Sequence, residues 1–440
     1  MSKKEEEKPK EENINPNQII LQPIDENGKE FVEYYDSDDE KYTKYLCNYD
    51  PKNAFPKTIE YPNQKNFEKN TKENINNKNN EKIKYNLDYI SKLDFGNTII
   101  YDLSIEGNLL LVVGGEYLKI YNIEENYKLI SSNLIKTEIL YCLSTQSLDN
   151  NNLIASIGGK NCIIRIIDII ENKEINQLIG NKNEIYCLKF SNKDKNILLS
   201  GSKDITIRLW NIISGKQICI FGGPQSHKAE ILSIDWHISG NYIVSSGIDN
   251  SIKIWDLSIP KIRSRIDKSL KNENFKTLIK TRSIFSCNSI HDNYIDCVKF
   301  NGNFIISKSV TGVIREWIPI FNPEGDSFYI INTYCYQIKD KIWYVKFLFE
   351  EEKKIIVVGN DLGRIFIYKT ESENDINDKE YVEPNTIFDI KQESIVRAIG
   401  FSQFYNLFFF GANNGDIIIA KLNEFKNRSK DQIIKENHIK

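Results

Sequence analysis

The chain has 440 residues, of which 40% are hydrophobic and 11% aromatic, and its formal net charge is −3. This length can bury a sizeable core in one large domain or in two or three ordinary ones. The near-neutral charge argues against wholesale phosphate binding, which needs a basic face. The longest apolar runs, such as LLLVV at 109–113, have the length of a strand and are too short to span a bilayer.

Residues 1–82 are polar and charged. They cannot bury enough apolar surface to offset the entropy lost on ordering, so we predict a disordered tail, with YDSDDEKYTKYL at 35–46 as its best candidate for a docking motif. The opening MSKKEEEKPKEE has no apolar run of the kind that a secretory signal needs, and the eight cysteines form no CxxC pair. These features favour a reducing, intracellular location.

From residue 83 to 424 the sequence repeats short β-branched and aromatic runs separated by Gly, Asn, Asp and Lys, which predicts an all-β fold. The stretches 196–216 and 241–261 align directly, each reading strand, Ser, a turn closed by Asp, strand, Trp. The same register recurs at intervals of 43 to 62 residues, at Tyr121, Ile167, Trp210, Trp255, Trp317, Tyr368 and Ala420. Seven such units predict a seven-bladed WD-repeat β-propeller.

His227, Ser245, Asp249 and Trp255 have the spacing of the hydrogen-bonded set of a WD blade. A second set has Thr in the place of Asp and comprises His291, Ser307, Thr311 and Trp317. A Ser–His–Asp hydrolase is the alternative interpretation. The repeat explains these residues better, because each set lies within one blade and no G-x-S-x-G elbow accompanies it.

Ring closure requires a fourth strand for the last unit, because residues 394–422 supply only three. The segment 82–93 precedes the first full unit and can supply that strand, which would remove two exposed sheet edges. Residues 425–440 are then a polar tail. The connections that depart from the repeat are 257–290, 322–326 and 371–385.

The innermost strand of each blade runs along the central channel, so residues at the start of those strands line one end of it, the channel mouth. The second position of each predicted inner strand is occupied, in ring order, by Tyr101, Tyr141, Tyr186, Leu232, Asp296, Trp343 and Arg397. Tyr344 follows Trp343, and on a regular strand the two side chains point to opposite faces. We therefore expect one of them at the mouth and the other packed towards the next blade.

An aromatic cluster at this place is suited to a quaternary ammonium, which is attracted to each π-face by about 0.5–2 kcal/mol. A trimethylated lysine fits better than a plain ammonium, which water holds more strongly. Asp296 and Arg397 would fix a peptide. The alternative interpretation is that tyrosines at strand starts are amphipathic rim residues.

Several stretches together resemble the Extra sex combs/embryonic ectoderm development family, the WD-repeat subunit of the Polycomb repressive complex. The resemblance covers about 82–423 and is sharp in blades three to six and weak in the first two. It is carried by CIFGGPQSHKAEILSIDWHISGNYIVSSGIDNSIKIWDL (219–257), SKDITIRLWNI (202–212), IHDNYIDCVKFNGNFIISKS (290–309), DKIWYVKF (340–347) and IVRAIGFS (395–402). It implies a trimethyl-lysine cage of Tyr101, Tyr141, Trp343 and Tyr344, with Arg397, Asp296, Tyr186 and Tyr294 as peptide contacts. Tyr101 stands where a Phe is expected, and Tyr186 where an Asn is expected.

The resemblance also implies partners: an Enhancer of zeste-like SET-domain methyltransferase on the face opposite the cage, a Suppressor of zeste-like subunit, and a methylated histone tail in the nucleus. It implies that cage occupancy stimulates the enzyme. We predict no catalytic site, cofactor or metal in this chain. The competing class is a generic WD-repeat adaptor, for example one that presents substrates to a ubiquitin ligase. The basic connection 259–282 reads as an insertion that packs on a partner, with a weak nucleosomal DNA contact as second interpretation.

Overall fold

The computed structural model describes residues 83–148, 152–321, 326–370 and 381–426. These residues form seven sheets, the blades of a propeller, whose strands pair antiparallel except for one short strand, and one α-helix. The fold prediction is confirmed. The predicted tail 1–82 and its motif at 35–46 lie outside the described residues, as do most of the predicted loops at 322–326 and 371–385. No described helix is long and apolar enough to cross a membrane.

The strands of each blade are given in order from the innermost one, beside the channel, outwards. Blade 1 holds β2 (Ile100–Glu106), β3 (Leu109–Gly114), β4 (Tyr117–Asn122) and β5 (Lys128–Leu134). Blade 2 holds β6 (Leu140–Ser147), β7 (Leu153–Gly159), β8 (Ile163–Asp168) and β9 (Lys173–Ile179). Blade 3 holds β10 (Ile185–Phe190), β11 (Ile197–Ser202), β12 (Ile207–Asn211), β13 (Gln217–Phe221) and, parallel to β13, β17 (Leu278–Lys280). Blade 4 holds β14 (Ile231–Trp236), β15 (Tyr242–Gly247), β16 (Ile252–Asp256) and β18 (Phe285–Cys287).

The remaining blades complete the ring. Blade 5 holds β19 (Ile295–Asn301), β20 (Phe304–Ser309), β21 (Val313–Ile320) and β22 (Ser327–Cys335). Blade 6 holds β23 (Phe347–Glu350), β24 (Ile355–Gly359), β25 (Arg364–Lys369) and β26 (Thr386–Asp389). Blade 7 holds β27 (Val396–Ser402), β28 (Leu407–Ala412), β29 (Asp416–Lys426) and β1 (Ile83–Asp94).

Strand β1 pairs antiparallel with β29, from Ile83 opposite Lys426 to Asp94 opposite Asp416. The predicted closure of the ring by the segment before the first blade is therefore confirmed. Leu87 of β1 lies opposite Leu422 and is buried in the cluster between blades 6 and 7.

The core lies between the blades. Seven clusters of buried apolar residues each join two neighbouring blades. The second strand of a blade, such as β7 or β11, is buried along its whole length because a neighbouring blade covers each face. This explains why these strands read as continuous apolar runs and not as alternating ones.

The connection after blade 4 forms helix α1 (Pro260–Leu270), which the sequence analysis did not predict. Pro260 begins the helix, a favoured place for proline. Ile262 and Ile266, one turn apart, pack into the cluster between blades 3 and 4, and the Asn211 side-chain amide donates to the Ser269 carbonyl at 3.0 Å. This face of the helix packs on the chain's own blade 3, and the predicted partner contact of the connection stays a prediction.

The His–Ser–Asp–Trp set of blade 4 has the predicted hydrogen bonds. His227 Nδ1 lies 2.9 Å from an Asp249 carboxylate oxygen, and Nε2 lies 2.8 Å from Ser245 Oγ. The Trp255 indole N–H donates to the same hydroxyl oxygen at 3.0 Å. Since a carboxylate only accepts, His227 carries a proton on Nδ1. Burial lowers the pKa of His227, so the ring is neutral and Nε2 accepts from the Ser245 hydroxyl. Ser245 is fully buried. Its hydrogen bonds to His227 and Trp255 tie segments of one blade together.

Substitution Leu87→Ala should lower the free energy of unfolding by about 2–5 kcal/mol, because it opens a cavity where the chain ends are joined. Tyr89→Ala on the same strand, where the side chain is 58% exposed, should change it by less than about 0.5 kcal/mol. Urea denaturation of both variants is the measurement. Equal losses would contradict a closing role for β1.

A second prediction concerns acid stability. Burial, together with the charges of Arg315 and Lys308, lowers the pKa of His291 to about 3. As the pH falls below about 6.5, this histidine is protonated in the unfolded chain but not in the folded chain. The free energy of unfolding should therefore fall by up to about 1.4 kcal/mol per pH unit below about pH 6.5. His291→Gln cannot titrate. The difference in unfolding free energy between wild type and this variant should shrink from pH 7 to pH 5; a constant difference would refute the assignment.

Candidate methyl-ammonium site at the channel mouth

Five aromatic rings from four blades meet at the channel mouth and form a closed circuit, which we call the aromatic pentad. Successive ring centroids are 5.1 to 5.9 Å apart, in the order Tyr101, Tyr141, Tyr186, Trp343, Tyr344 and back to Tyr101. Most pairs meet edge to face, the favourable geometry for aromatic rings. The structure thus brings together residues that lie up to 243 positions apart in the chain.

The segment that carries Trp343 and Tyr344 is not a strand. Inner strand β23 begins at Phe347, not at 342 as the alignment predicted. Tyr344 has φ +65°, a left-handed conformation that is uncommon for a residue other than glycine. The rule of alternating faces does not hold here, and both rings reach the pentad. The expectation that one of the pair packs towards the next blade is wrong.

Neighbouring blades hold this segment in place. The Val345 N–H donates to the Asp296 carboxylate at 3.0 Å, and the Lys346 N–H donates to the Arg397 carbonyl at 3.0 Å. The Arg397 guanidinium in turn donates to the Trp343 carbonyl at 2.7 Å. Hydrogen bonds to blades 5 and 7 therefore replace the ladder that blade 6 would otherwise provide.

Tyr344 crosses the channel. Its hydroxyl lies 2.6 Å from the Tyr141 carbonyl oxygen and within hydrogen-bonding reach of the Tyr186 carbonyl. Burial raises its pKa well above the ordinary value, so the hydroxyl stays a neutral donor. The ring is 3% exposed and forms the floor of the pentad, whereas Trp343 is 45% exposed and forms its outer wall.

Asp296 does not face the mouth. It is 2% exposed, and one carboxylate oxygen lies 2.6 Å from the ammonium of Lys308, which is equally buried. Burial alone would lower the pKa of Lys308, but the Asp296 carboxylate raises it, so the pair is ionised. The predicted peptide contact through Asp296 is wrong, because its carboxylate is already used by Lys308 and Val345.

The other predicted peptide contacts differ from one another. Tyr186 is 3% exposed and belongs to the pentad. Arg397 is half-buried, with its guanidinium 5.9 Å from the Tyr101 ring centroid and bonded to the Trp343 carbonyl. Tyr294 is 42% exposed, and no ring contact joins it to the pentad in the described part of the chain.

Glu184 is a residue that sequence reasoning missed. Its carboxylate accepts from the Tyr186 hydroxyl at 3.4 Å, and it raises the pKa of Tyr141, after burial, which has the larger effect. Glu230 acts on Tyr186 in the same direction. Both glutamates directly precede an inner strand, at NEIYC and AEILS, and that repeated position was the available signal. Their negative charge favours a cation at the mouth.

The described residues contain no group of three His, Cys, Asp or Glu side chains arranged to hold a metal. The mouth itself presents π-faces, neutral hydroxyls and nearby carboxylates. Such a surface can bind a cation with little capacity for hydrogen bonding.

Fold and blade residues together define a WD-repeat propeller, and residues 172–211 and 215–256 match the family "WD domain, G-beta repeat". The chain is 36% identical over 281 residues to Polycomb protein esc of Drosophila melanogaster, covering 60% of this chain and 65% of that protein. It is 34% identical over 295 residues to Polycomb protein esc of Musca domestica, covering 64% and 68%. The chain belongs to the Polycomb protein esc family. It spans about 65% of the length of the Drosophila relatives.

Among solved structures, a chain of the Chaetomium thermophilum Polycomb Repressive Complex 2 has the same fold. Its TM-score is 0.66 and its sequence identity 15%, over 78% of this chain and 99% of that one. At that identity the likeness is one of fold alone.

Substitution Asp296→Asn should lower the free energy of unfolding by about 3–5 kcal/mol, because it leaves the Lys308 ammonium buried without its counter-charge. The matched control is Asp292→Asn in the turn before β19, where the side chain is exposed and the expected change is within about 0.5 kcal/mol. Denaturation midpoints at pH 7 measure both. A mild effect at position 296 would return this residue to the list of peptide contacts.

Proposed function

We propose that this protein is a non-catalytic WD-repeat subunit of a Polycomb-type histone lysine methyltransferase complex in the nucleus. In this role it binds trimethyl-lysine of a histone tail at the aromatic pentad and scaffolds an Enhancer of zeste-like SET-domain enzyme beside a Suppressor of zeste-like subunit. The observation that carries the proposal is the convergence of five rings at one end of the channel. Membership of the Polycomb protein esc family supports the choice of partners.

The pentad offers more than rim packing. Rim tyrosines of separate blades need only contact their own strand, whereas Tyr344 crosses the channel and is fixed by the backbones of blades 2 and 3. A non-glycine residue in a left-handed conformation is typical of functional sites, where the surrounding structure holds it. The tryptophan beside it is left exposed. This arrangement gives a rigid floor and one adjustable wall.

The rings of the free protein are in contact, so a methyl-ammonium group enters only when one of them moves. Trp343 is the ring free to do so, since its side chain is 45% exposed and Arg397 holds its carbonyl and not its indole. In the proposed complex the indole first rotates outward to admit the cation and then packs against it. Glu184 and Glu230 lie close enough to the mouth to add a favourable charge without a direct bond.

Calorimetric titration of the full chain with trimethylated and unmodified histone peptides tests the proposal. The trimethylated peptide should bind more tightly. Trp343→Ala removes one π-face worth about 0.5–2 kcal/mol, and should weaken that peptide by roughly 2- to 30-fold without changing the denaturation midpoint. Phe404→Ala is the control, because that ring is 84% exposed in the turn between β27 and β28, away from the pentad.

Equal binding of both peptides by the wild type would favour the adaptor class instead. Co-purification of the full chain with a SET-domain methyltransferase tests the scaffold role separately. Loss of peptide preference in Trp343→Ala with retained co-purification would place the two roles on different surfaces of the propeller.

A further inference from the structure

Beneath Tyr344 the channel widens into a cavity of about 660 Å³. Its rim is formed by residues that follow the inner strands, among them Asn192, Ile238, Gly302 and Glu351. Because the pentad lies where those strands begin, the cavity opens at the opposite end of the channel. Tyr344 stands between the two, with the Lys346 ammonium 5.4 Å from its ring centroid.

Three lysines line this cavity at one level. Lys189, Lys299 and Lys346 each occupy the fifth position of an inner-strand motif, in IYCLKF, IDCVKF and IWYVKF. Lysine at an enclosed position is costly unless it is paired. Three lysines at this level of the channel therefore require anionic partners.

Two of the lysines have such partners. Lys346 lies 2.5 Å from the Asp102 carboxylate, and Lys299 lies 3.8 Å from that of Asp235. Both aspartates also accept a backbone N–H from the next blade, Leu143 at 2.9 Å for Asp102 and Phe300 at 2.9 Å for Asp235. Their remaining capacity for a third cation is small.

Lys189 has no carboxylate within 4 Å in the described part of the chain. The Lys299 ammonium beside it, followed by burial, lowers the pKa of Lys189 to about 8. Asp235 and Asp102 oppose this shift and Lys346 adds to it. Two half-buried lysines, hydrogen-bonded to each other, thus lie side by side with an incomplete set of counter-charges and line the cavity together with Ser144 and Ser233.

We propose that this cavity is a second binding site, for a small oxyanion of two or more negative charges held by Lys189 and Lys299. Phosphates and dicarboxylates share the required chemistry, since both present several oxygen acceptors to ammonium and hydroxyl donors. The site is distinct from the proposed methyl-lysine site, because no residue of the aromatic pentad lines this cavity.

Titration calorimetry of the full chain with pyrophosphate and with malonate, at constant ionic strength in chloride buffer, tests this site and distinguishes the two sources of oxyanion. Saturable one-to-one binding of at least one of them is expected at pH 7. Between pH 7 and pH 9 the affinity for malonate, whose two carboxylates stay ionised, should fall by roughly tenfold, because Lys189 loses its proton over that range. Absence of saturable binding, or an affinity that does not depend on pH, would overturn the proposal.

Lys189→Met gives a second, separate readout. It should weaken anion binding by at least about tenfold and, since it removes one of two neighbouring like charges, should raise the denaturation midpoint of the free protein. Lys136→Met, at an exposed position of blade 1, is the control and should change neither. Unchanged binding in Lys189→Met would refute the site, whatever happens to the denaturation midpoint.

Discussion

The closure of the ring by β1 and β29 is the constraint on which the rest of this structure depends. A blade alone exposes apolar surface on both faces, and only neighbours on both sides bury it. Strand β1 arrives from before the first blade and completes the last one, so the ends of the folded chain hold each other. Without that strand, the outer edge of blade 7 would be unpaired and Leu87 would no longer contribute to the core between blades 6 and 7.

A second set of bonds joins the blades at the channel itself. The innermost strands are sheet edges, whose free N–H groups need acceptors. Here polar side chains of one blade accept from the backbone of the next, in the pairs Asp102–Leu143, Ser144–Phe190, Ser233–Val298, Asp235–Phe300 and Asp296–Val345. The channel wall is therefore polar for structural reasons, and this is why its charges are largely neutralised in pairs.

The channel mouth shows how such bonds create a site. Asp296 and Arg397 look like peptide-binding residues in the sequence, yet the structure uses them to support the segment that carries Trp343 and Tyr344. Their effect on any ligand is indirect. Removal of the Asp296 carboxylate would disturb a buried ion pair first and the pentad only as a consequence. Asp296 is therefore a positioning residue, unlike the residues whose rings would touch the cation.

Much of the fold could be predicted from the sequence because its signals are local. The His–Ser–Asp–Trp sets lie within single blades, the strand runs recur in a constant order, and inner strands that begin at one end must bring Tyr101, Tyr141 and Tyr186 to one mouth. The Polycomb-family resemblance pointed to the same residues. In contrast, α1 escaped prediction because only Ile262 and Ile266 face the core, too few for a clear helical period.

The sequence by itself determined the number of blades, their closure and the identity of the aromatic residues, since these follow from periodicity and position along strands. Only the tertiary structure decided how the rings meet and which charges remain free. The left-handed turn at Tyr344 is set by bonds to residues 49 to 203 positions away, and the isolation of Lys189 depends on which aspartates other blades have already engaged. A pattern along the chain cannot contain that information, because it arises only when the seven blades share one axis.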